Sequence, residues 1–284
     1  MQAQSLSMRT RKERIRILHQ IERETNTDSA CLDVQTITRW LATLETAVTR
    51  ETYYSVLAAW SKWLVLNGHR SDDPTVFVQR PRVPRRLPRP VHTKHLERLL
   101  QTGIHPQTRT KILLMMYAGL RRSEVAGFGG PKVYLDLVAN RLHVEGKGGV
   151  HAVLPLHPVI AAEAEAYPQR GYWFPSPVDS SRPIRAGTVT SVIGQAFASI
   201  GVHGTPHMIR HWFASTLLAE GVDVRVVQEL MRHQSLGTTA IYTKVPLEMK
   251  RNAIMRLPTY LAAAIESSLA EPFTRGSAIH SLAY

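Results

Sequence analysis

The chain has 284 residues, 44% hydrophobic and 20% charged, which is ordinary globular usage and excludes disorder throughout. Its 35 Lys+Arg against 22 Asp+Glu give a net charge of +13, suited to a polyanionic partner, either nucleic acid or an anionic membrane surface. The longest apolar runs, such as 112–120, fall well short of the ~20 residues that span a bilayer, so no transmembrane helix and no membrane partner are expected.

Residues 1–18 are basic and Arg-rich, but Glu13 interrupts them and no apolar signal core follows. Export is therefore not expected, a transit peptide is the minor alternative, and a cytoplasmic location fits. Cys31 is the single cysteine, so an internal disulfide or cysteine metal cluster is excluded; a small buried apolar side chain is its expected role. Residues 8–25 predict a basic helix with Ile15, Leu18 and Ile21 on one face, readable as a solvated appendage. Two further helical patterns, 36–43 and 50–66, outline a small all-α domain. The second spaces Tyr54, Leu57, Trp60, Trp63 and Leu64 for burial along one stripe.

Residues 80–90 carry four prolines, five arginines (Arg80, Arg82, Arg85, Arg86 and Arg89) and no acid. Prolines at this density forbid helix and favour an extended strap, and the arginines make that strap a track for a phosphate backbone. It is the expected interdomain linker, with a merely solvated linker as the plainer alternative.

The second domain begins near Thr93. Helices are expected over 95–102 and 108–118, with Gly119 stopping the latter. Alternating runs at 141–145 and 150–154 flank Gly146-Lys-Gly-Gly149, which predicts a hairpin with Lys147 near its tip; Pro155 should end the second strand at Leu154. Helices follow at 158–167, 188–200, 207–220, 225–231 and 235–242. A last one, 256–269, carries Leu257, Leu261, Ala264 and Ile265 on one face, with Pro258 in its first turn.

Three segments carry polar side chains on otherwise apolar elements: 118–124 (Ala-Gly-Leu-Arg-Arg-Ser-Glu), 205–215 around His207-Met-Ile-Arg210-His211, and 229–242, which ends in Tyr242. His207 and Arg210 are three apart, so a helix projects both toward one face, where imidazole and guanidinium can meet one phosphate. His207 and His211 have the i, i+4 spacing of a zinc pair, but Met208 stands where a metalloprotease helix places its Glu base and no third ligand is suggested; no metal is expected.

These segments resemble the motifs of the tyrosine recombinases, the family of phage integrases and Xer-type enzymes. Ala-Gly-Leu-Arg-Arg-Ser-Glu resembles the first-arginine motif, His-Met-Ile-Arg-His the His-x-x-Arg box, and Arg-His-Gln-Ser-Leu-Gly-Thr-Thr-Ala-Ile-Tyr the terminal box. Order and spacing make the match specific: Arg121, Lys147, His207 with Arg210, His233, then Tyr242 nine residues later. The resemblance covers most of residues 34–262. It implies a mainly α fold with a small antiparallel β-sheet, an α+β catalytic domain that closes with an N-terminal helical bundle as a C-shaped clamp around DNA. The expected divisions are a basic segment (1–26), a helical core-type DNA-binding domain (27–79), the linker (80–92), the catalytic domain (93–262) and a C-terminal tail (263–284).

Attack on a phosphodiester builds charge on its non-bridging oxygens, which planar bidentate donors stabilise best, and Arg121 and Arg210 fit that role. The Gly-Leu-Arg order favours Arg121 over Arg122. By the resemblance, Tyr242 forms a 3′-phosphotyrosine link, His207 assists as acid or base, and Lys147 protonates the departing 5′-oxygen. His233 hydrogen-bonds the phosphate, and Glu124 and His211 support the cluster. One departure stands out: Arg232 occupies the position before His233 where the family commonly has glycine, and is open to an added phosphate contact.

The resemblance also implies double-stranded DNA at specific sites as substrate, a homotetramer on two duplexes with the 256–269 helix as docking element, accessory DNA-bending or directionality factors, and no cofactor. Two alternatives stay open. A Xer-type chromosome or plasmid dimer resolvase would share all of these residues. A non-catalytic helix-turn-helix regulator built on 216–242 would need none of Arg121, Lys147 or Tyr242.

Overall fold

The computed structural model describes residues 6–84, 89–146, 149, 151–232 and 245–259. The chain divides into two compact units, Met1–Leu87 and Pro88–Tyr284.

The first unit is helical. α1 (Met8–Thr25) starts on Ser7, whose Oγ accepts the Thr10 N–H at 3.1 Å, and ends on Asn26 in the left-handed region at φ 51°. α2 (Val34–Thr43) is capped by Asp33, and α3 (Ala47–Leu66) by Thr46. A single 3-10 turn, Pro74–Phe77, follows. α1 is no appendage: Ile17, Leu18 and Ile21 are buried with Leu32, Ile37, Trp40, Leu41 and Leu57 in one core. Each such aliphatic side chain contributes about 1.5–3 kcal/mol by leaving water. The stripe runs through Ile17 rather than Ile15, which is exposed. Cys31 is exposed too, in the turn closed by its N–H on the Asp28 carbonyl at 2.9 Å, while Leu32 beside it takes the core place.

On α3 the expected stripe is only partly buried. Leu57 and Leu64 are in the interior, joined by Val56 and Ser61. Tyr54 and Trp60 sit at its edge because each has a polar tip to satisfy: Tyr54 Oη donates to the Thr75 carbonyl (3.1 Å) and Trp60 Nε1 to the Ser29 carbonyl (3.2 Å). Trp63 stacks between Trp60 and His69, with ring centroids 5.1 and 5.3 Å away.

The second unit is built around α5 (Pro106–Ala118), which is buried on every side over its last turns, as expected of a helix apolar all round. α4 (Thr93–Gln101) precedes it, and α6 (Arg122–Ala126) follows one tight turn later. Gly119 makes that turn. It adopts φ +54°, and an added Cβ would stand 2.7 Å from two Phe213 ring carbons, so both backbone and packing demand glycine here. The close approach seats the end of α5 on α9 (Pro206–Ala219). α7 (Pro158–Glu163) and α8 (Ala186–Ser199) also pack on α5, and α10 (Val224–Leu230) on α9.

A three-stranded antiparallel sheet, ordered β1-β2-β3, joins these helices. β1 is Val133–Asp136, β2 Arg141–Glu145 and β3 His151–Pro155. β2 alternates as its sequence predicts, with Leu142 and Val144 inward. The third strand runs one residue past Leu154: Pro155 pairs with Arg141, which is tolerated at the end of an edge strand, where a missing N–H breaks no ladder. Lys147 lies outside the described residues.

The C-terminal reading changes most. A helix is present at α11 (Leu247–Ile254), packed on β3 and α10, and 256–259 is not helical. Leu257 is buried in the domain's own core instead of lying on an exposed stripe. Arg256 Nη1 donates to the Glu220 carbonyl at 3.0 Å, and Tyr117 Oη to the Pro258 carbonyl at 3.1 Å. The rest of the expected 256–269 helix and all of 235–242 lie outside the described residues. None of the described helices is long and apolar enough to cross a membrane.

Candidate active site

Arg121 immediately precedes α6 and serves as its cap position. Three residues on, Glu124 folds back: its Oε2 accepts the Arg121 backbone N–H at 2.7 Å and its Oε1 accepts from Arg121 Nη1 at 2.8 Å. This fixes the guanidinium against the helix start. Arg122 points elsewhere, donating to Thr190 Oγ1 on α8 at 3.2 Å, so the pair separates as the Gly-Leu-Arg order suggested.

Arg210 comes from α9, nearly a hundred residues later, and is only 5% exposed. Its Nη1 donates to the Gly119 carbonyl and its Nη2 to the Met231 carbonyl, so the guanidinium ties the turn after α5 to the end of α10. Burial, followed by the like charges of Arg232 and Arg121, pushes Arg210 down to about 9, which still leaves it charged at neutral pH.

Arg232 completes the cluster, and it corrects an expectation. Its side chain turns inward, 8% exposed, with Nη2 on Glu124 Oε2 at 2.7 Å and on the Gly119 carbonyl at 3.1 Å, and Nη1 on the Leu230 carbonyl at 3.0 Å. A side chain so engaged is not offered to a phosphate. Its backbone sits at φ +52°, the left-handed region that glycine enters freely and that costs an L side chain about 1–2 kcal/mol. That geometry explains why glycine suits this position. It also directs the Arg232 carbonyl at Arg121, whose Nη2 donates to it at 2.9 Å.

Arg121 and Arg232 thus share the Glu124 carboxylate, and Arg210 is tied in beside them through the Gly119 and Met231 carbonyls. Burial alone would raise the Glu124 carboxyl, but the charge of Arg232 and the bonds from Arg121 outweigh it and hold the group below the usual carboxylate range. The net excess of positive charge, with Arg121 partly open to solvent, makes an anion-attracting centre.

His207 lies one turn earlier on α9 and is exposed. Its recorded partner is His211, Nε2 to Nε2 at 2.9 Å, a distance at which one ring donates and the other accepts. Burial first, then the charges of His207 and Arg210, lower His211 below the ordinary histidine value. Among the described residues no group of three or more His, Cys, Asp or Glu side chains is arranged to hold a metal ion.

The structure therefore brings together Arg121, Glu124 and Arg210, and pairs His207 with His211. Lys147, His233 and Tyr242 lie outside the described residues, as do Arg85 and Arg86 of the linker. Arg82 and Arg89 are exposed. Arg80 is ion-paired with Glu51 of α3 at 2.6 Å, so the acid missing from the linker itself is supplied by the helical unit.

The sequence profile of the phage integrase family matches residues 90–248. Tyrosine recombinase XerA of Thermococcus kodakarensis is 36% identical over 197 residues, covering 64% of this chain and 67% of that protein. Tyrosine recombinase XerC of Chromohalobacter salexigens is 33% identical over 238 residues, covering 77% and 78%. Among solved structures, the integrase from mycobacterium phage Brujita is 42% identical with a TM-score of 0.56, over 90% of this chain and 88% of that one. A lambda integrase tetramer bound to a Holliday junction, 16% identical, has a TM-score of 0.67 over 86% of this chain and 76% of that one, a likeness of fold. With its arginines, their shared carboxylate and these relatives in agreement, the chain belongs to the phage integrase family and is a tyrosine-type site-specific DNA recombinase.

Proposed function

We propose that this recombinase is the integrase of a phage or other mobile element, acting on double-stranded DNA through a 3′-phosphotyrosine intermediate. The observation that carries the integrase role is the 42% identity to a phage integrase across 90% of the chain, above the 36% and 33% to the Xer recombinases. The observation that carries the chemistry is that Arg121 and Arg210, from elements far apart in sequence, both donate to the Met231 carbonyl, beside the Glu124–Arg232 ion pair.

In this reading Arg121 and Arg210 face the non-bridging oxygens of the scissile phosphate, where charge grows as the fifth ligand approaches phosphorus. Tyr242 Oη attacks phosphorus, the bond to the 5′-oxygen breaks, and the phosphodiester is conserved as a phosphotyrosine. The phenolic proton passes to His207, the leaving 5′-oxygen takes a proton from Lys147, and His233 hydrogen-bonds the phosphate. His211 holds the His207 ring through the Nε2 pair. Attack by a 5′-hydroxyl from a second duplex reverses the step, so no cofactor is required. Arg80, Arg82, Arg85, Arg86 and Arg89 of the linker contact the DNA phosphate backbone, and four protomers act on two duplexes. DNA-bending or directionality factors are the expected accessories, and DNA in the cytoplasm is the expected setting.

Duplexes recovered from a random library by selection for binding, nicked beside the bound centre, test this. Wild-type protein should trap an SDS-stable adduct. Tyr242→Phe should bind with unchanged Kd and trap none. Binding without adduct by wild type would favour the non-catalytic regulator, and adduct formation by Tyr242→Phe would move the nucleophile elsewhere. Joining of two separate plasmids bearing the selected sites, in preference to resolution of a plasmid dimer, would separate integrase from resolvase.

A further inference from the structure

Arg232 does three things at once. Its side chain holds Glu124 at 2.7 Å and the Gly119 carbonyl at 3.1 Å, and its own carbonyl accepts Arg121 Nη2 at 2.9 Å. The Gly119 carbonyl also takes Arg210 Nη1. Every group that fixes Arg121 or Arg210 is therefore itself touched by Arg232, or belongs to it, apart from the Met231 carbonyl on the adjoining residue. A glycine at this place would supply the carbonyl and nothing more. We infer that Arg232 is a positioning residue for the phosphate clamp: it acts on the reaction through Glu124 and Arg121, not by contact with DNA. The inference rests on the proposed roles of Arg121 and Arg210.

The left-handed backbone makes the substitution to glycine unusually informative. Arg232→Gly relieves the φ +52° conformation and removes the guanidinium, so a loss of rate cannot be ascribed to backbone misfit. Glu124 would then hold Arg121 with its Oε1 while its Oε2 loses the guanidinium, and the Gly119 turn would lose one of its two donors. A reacting group displaced by about 1 Å costs roughly 100-fold in rate. Single-turnover adduct formation by Arg232→Gly should therefore fall by about 10- to 100-fold, with Kd for the selected nicked duplex unchanged.

Full-length wild type, Arg232→Gly, Arg232→Lys, Arg121→Lys and the double variant Arg121→Lys/Arg232→Gly would be compared on that duplex, with thermal melting to establish that each is folded. Arg232→Lys should recover part of the rate, because an ammonium still reaches Glu124 but cannot fork to Gly119. In the Arg121→Lys background, Arg232→Gly should add less than about threefold, the non-additivity of residues acting through one another. A folded Arg232→Gly that cleaves at the wild-type rate overturns the inference. So does a parallel loss of DNA affinity, which would mean direct phosphate contact, a full additive loss on Arg121→Lys, or a folded Arg232→Lys no faster than Arg232→Gly. Failure of wild type to form any adduct would instead strike the proposed function.

Discussion

Replacing Glu124 by Gln tests whether the arginine cluster is held by charge. The carboxylate accepts from Arg121 Nη1 at 2.8 Å through Oε1, and from Arg121 N and Arg232 Nη2, both at 2.7 Å, through Oε2. An amide keeps one acceptor. Whichever way it flips, its NH2 faces a guanidinium donor, and Arg232 and Arg210 remain buried without the counter-charge. Breaking a buried pair by removing one partner costs about 3–5 kcal/mol. The Arg121 pair, with that side chain 39% exposed, adds little to it. For a domain of this size ~1 kcal/mol moves Tm by about 2–4 °C, so Glu124→Gln should lower Tm by roughly 6–20 °C at pH 7. Because the folded carboxyl titrates below its unfolded value, the contribution is complete above the ordinary carboxylate range and fades as pH falls through the lower folded one. The gap between variant and wild type should close in strong acid. Scanning calorimetry across pH reads both; a variant within about 2 °C of wild type at pH 7 would refute a charge-held cluster.

Gly119→Ala should destabilise by about 2–5 kcal/mol, combining the left-handed backbone with a Cβ pressed onto the buried Phe213 ring, and slow adduct formation as well; a chemical-denaturation midpoint equal to wild type would contradict both. His157 is buried, stacked on Tyr117 at 4.5 Å, and pushed by burial down to about 4. Its folded value lies below its unfolded one, so its contribution is present above about pH 6.5 and is lost as pH falls toward 4, by up to about 3 kcal/mol. His157→Phe should lose less stability than wild type across that interval, and equal slopes in urea titrations at pH 7 and 5 would sink the idea.

Much of this was legible from local chemistry. Gly119 marks the end of α5 because the left-handed cap favours glycine, and the alternation at 141–145 gives β2 directly. Local chemistry failed where the outcome depends on distant partners. β1 is four residues long and runs into exposed Leu137 and Val138, so its pattern carries no clear period. α11 has a mixed face whose burial is decided by β3 and α10, and Leu257 reads as a helix-stripe residue until the core that receives it is known. Arg121 and Arg210 were recognisable from motif spacing, whereas the inward turn of Arg232 was not. It depends on Gly119 and Glu124, more than a hundred positions earlier in the chain.

The acceptors that hold Arg210 are main-chain carbonyls, of Gly119 and Met231. No side-chain substitution can delete a carbonyl, so the sequence around the clamp is free to drift so long as the two turns keep their places. Tolerance to mutation is then uneven. Met231 and Leu230 can exchange among apolar residues of similar volume, while Gly119, whose turn leaves no room for a Cβ, is the point at which drift becomes loss of the clamp.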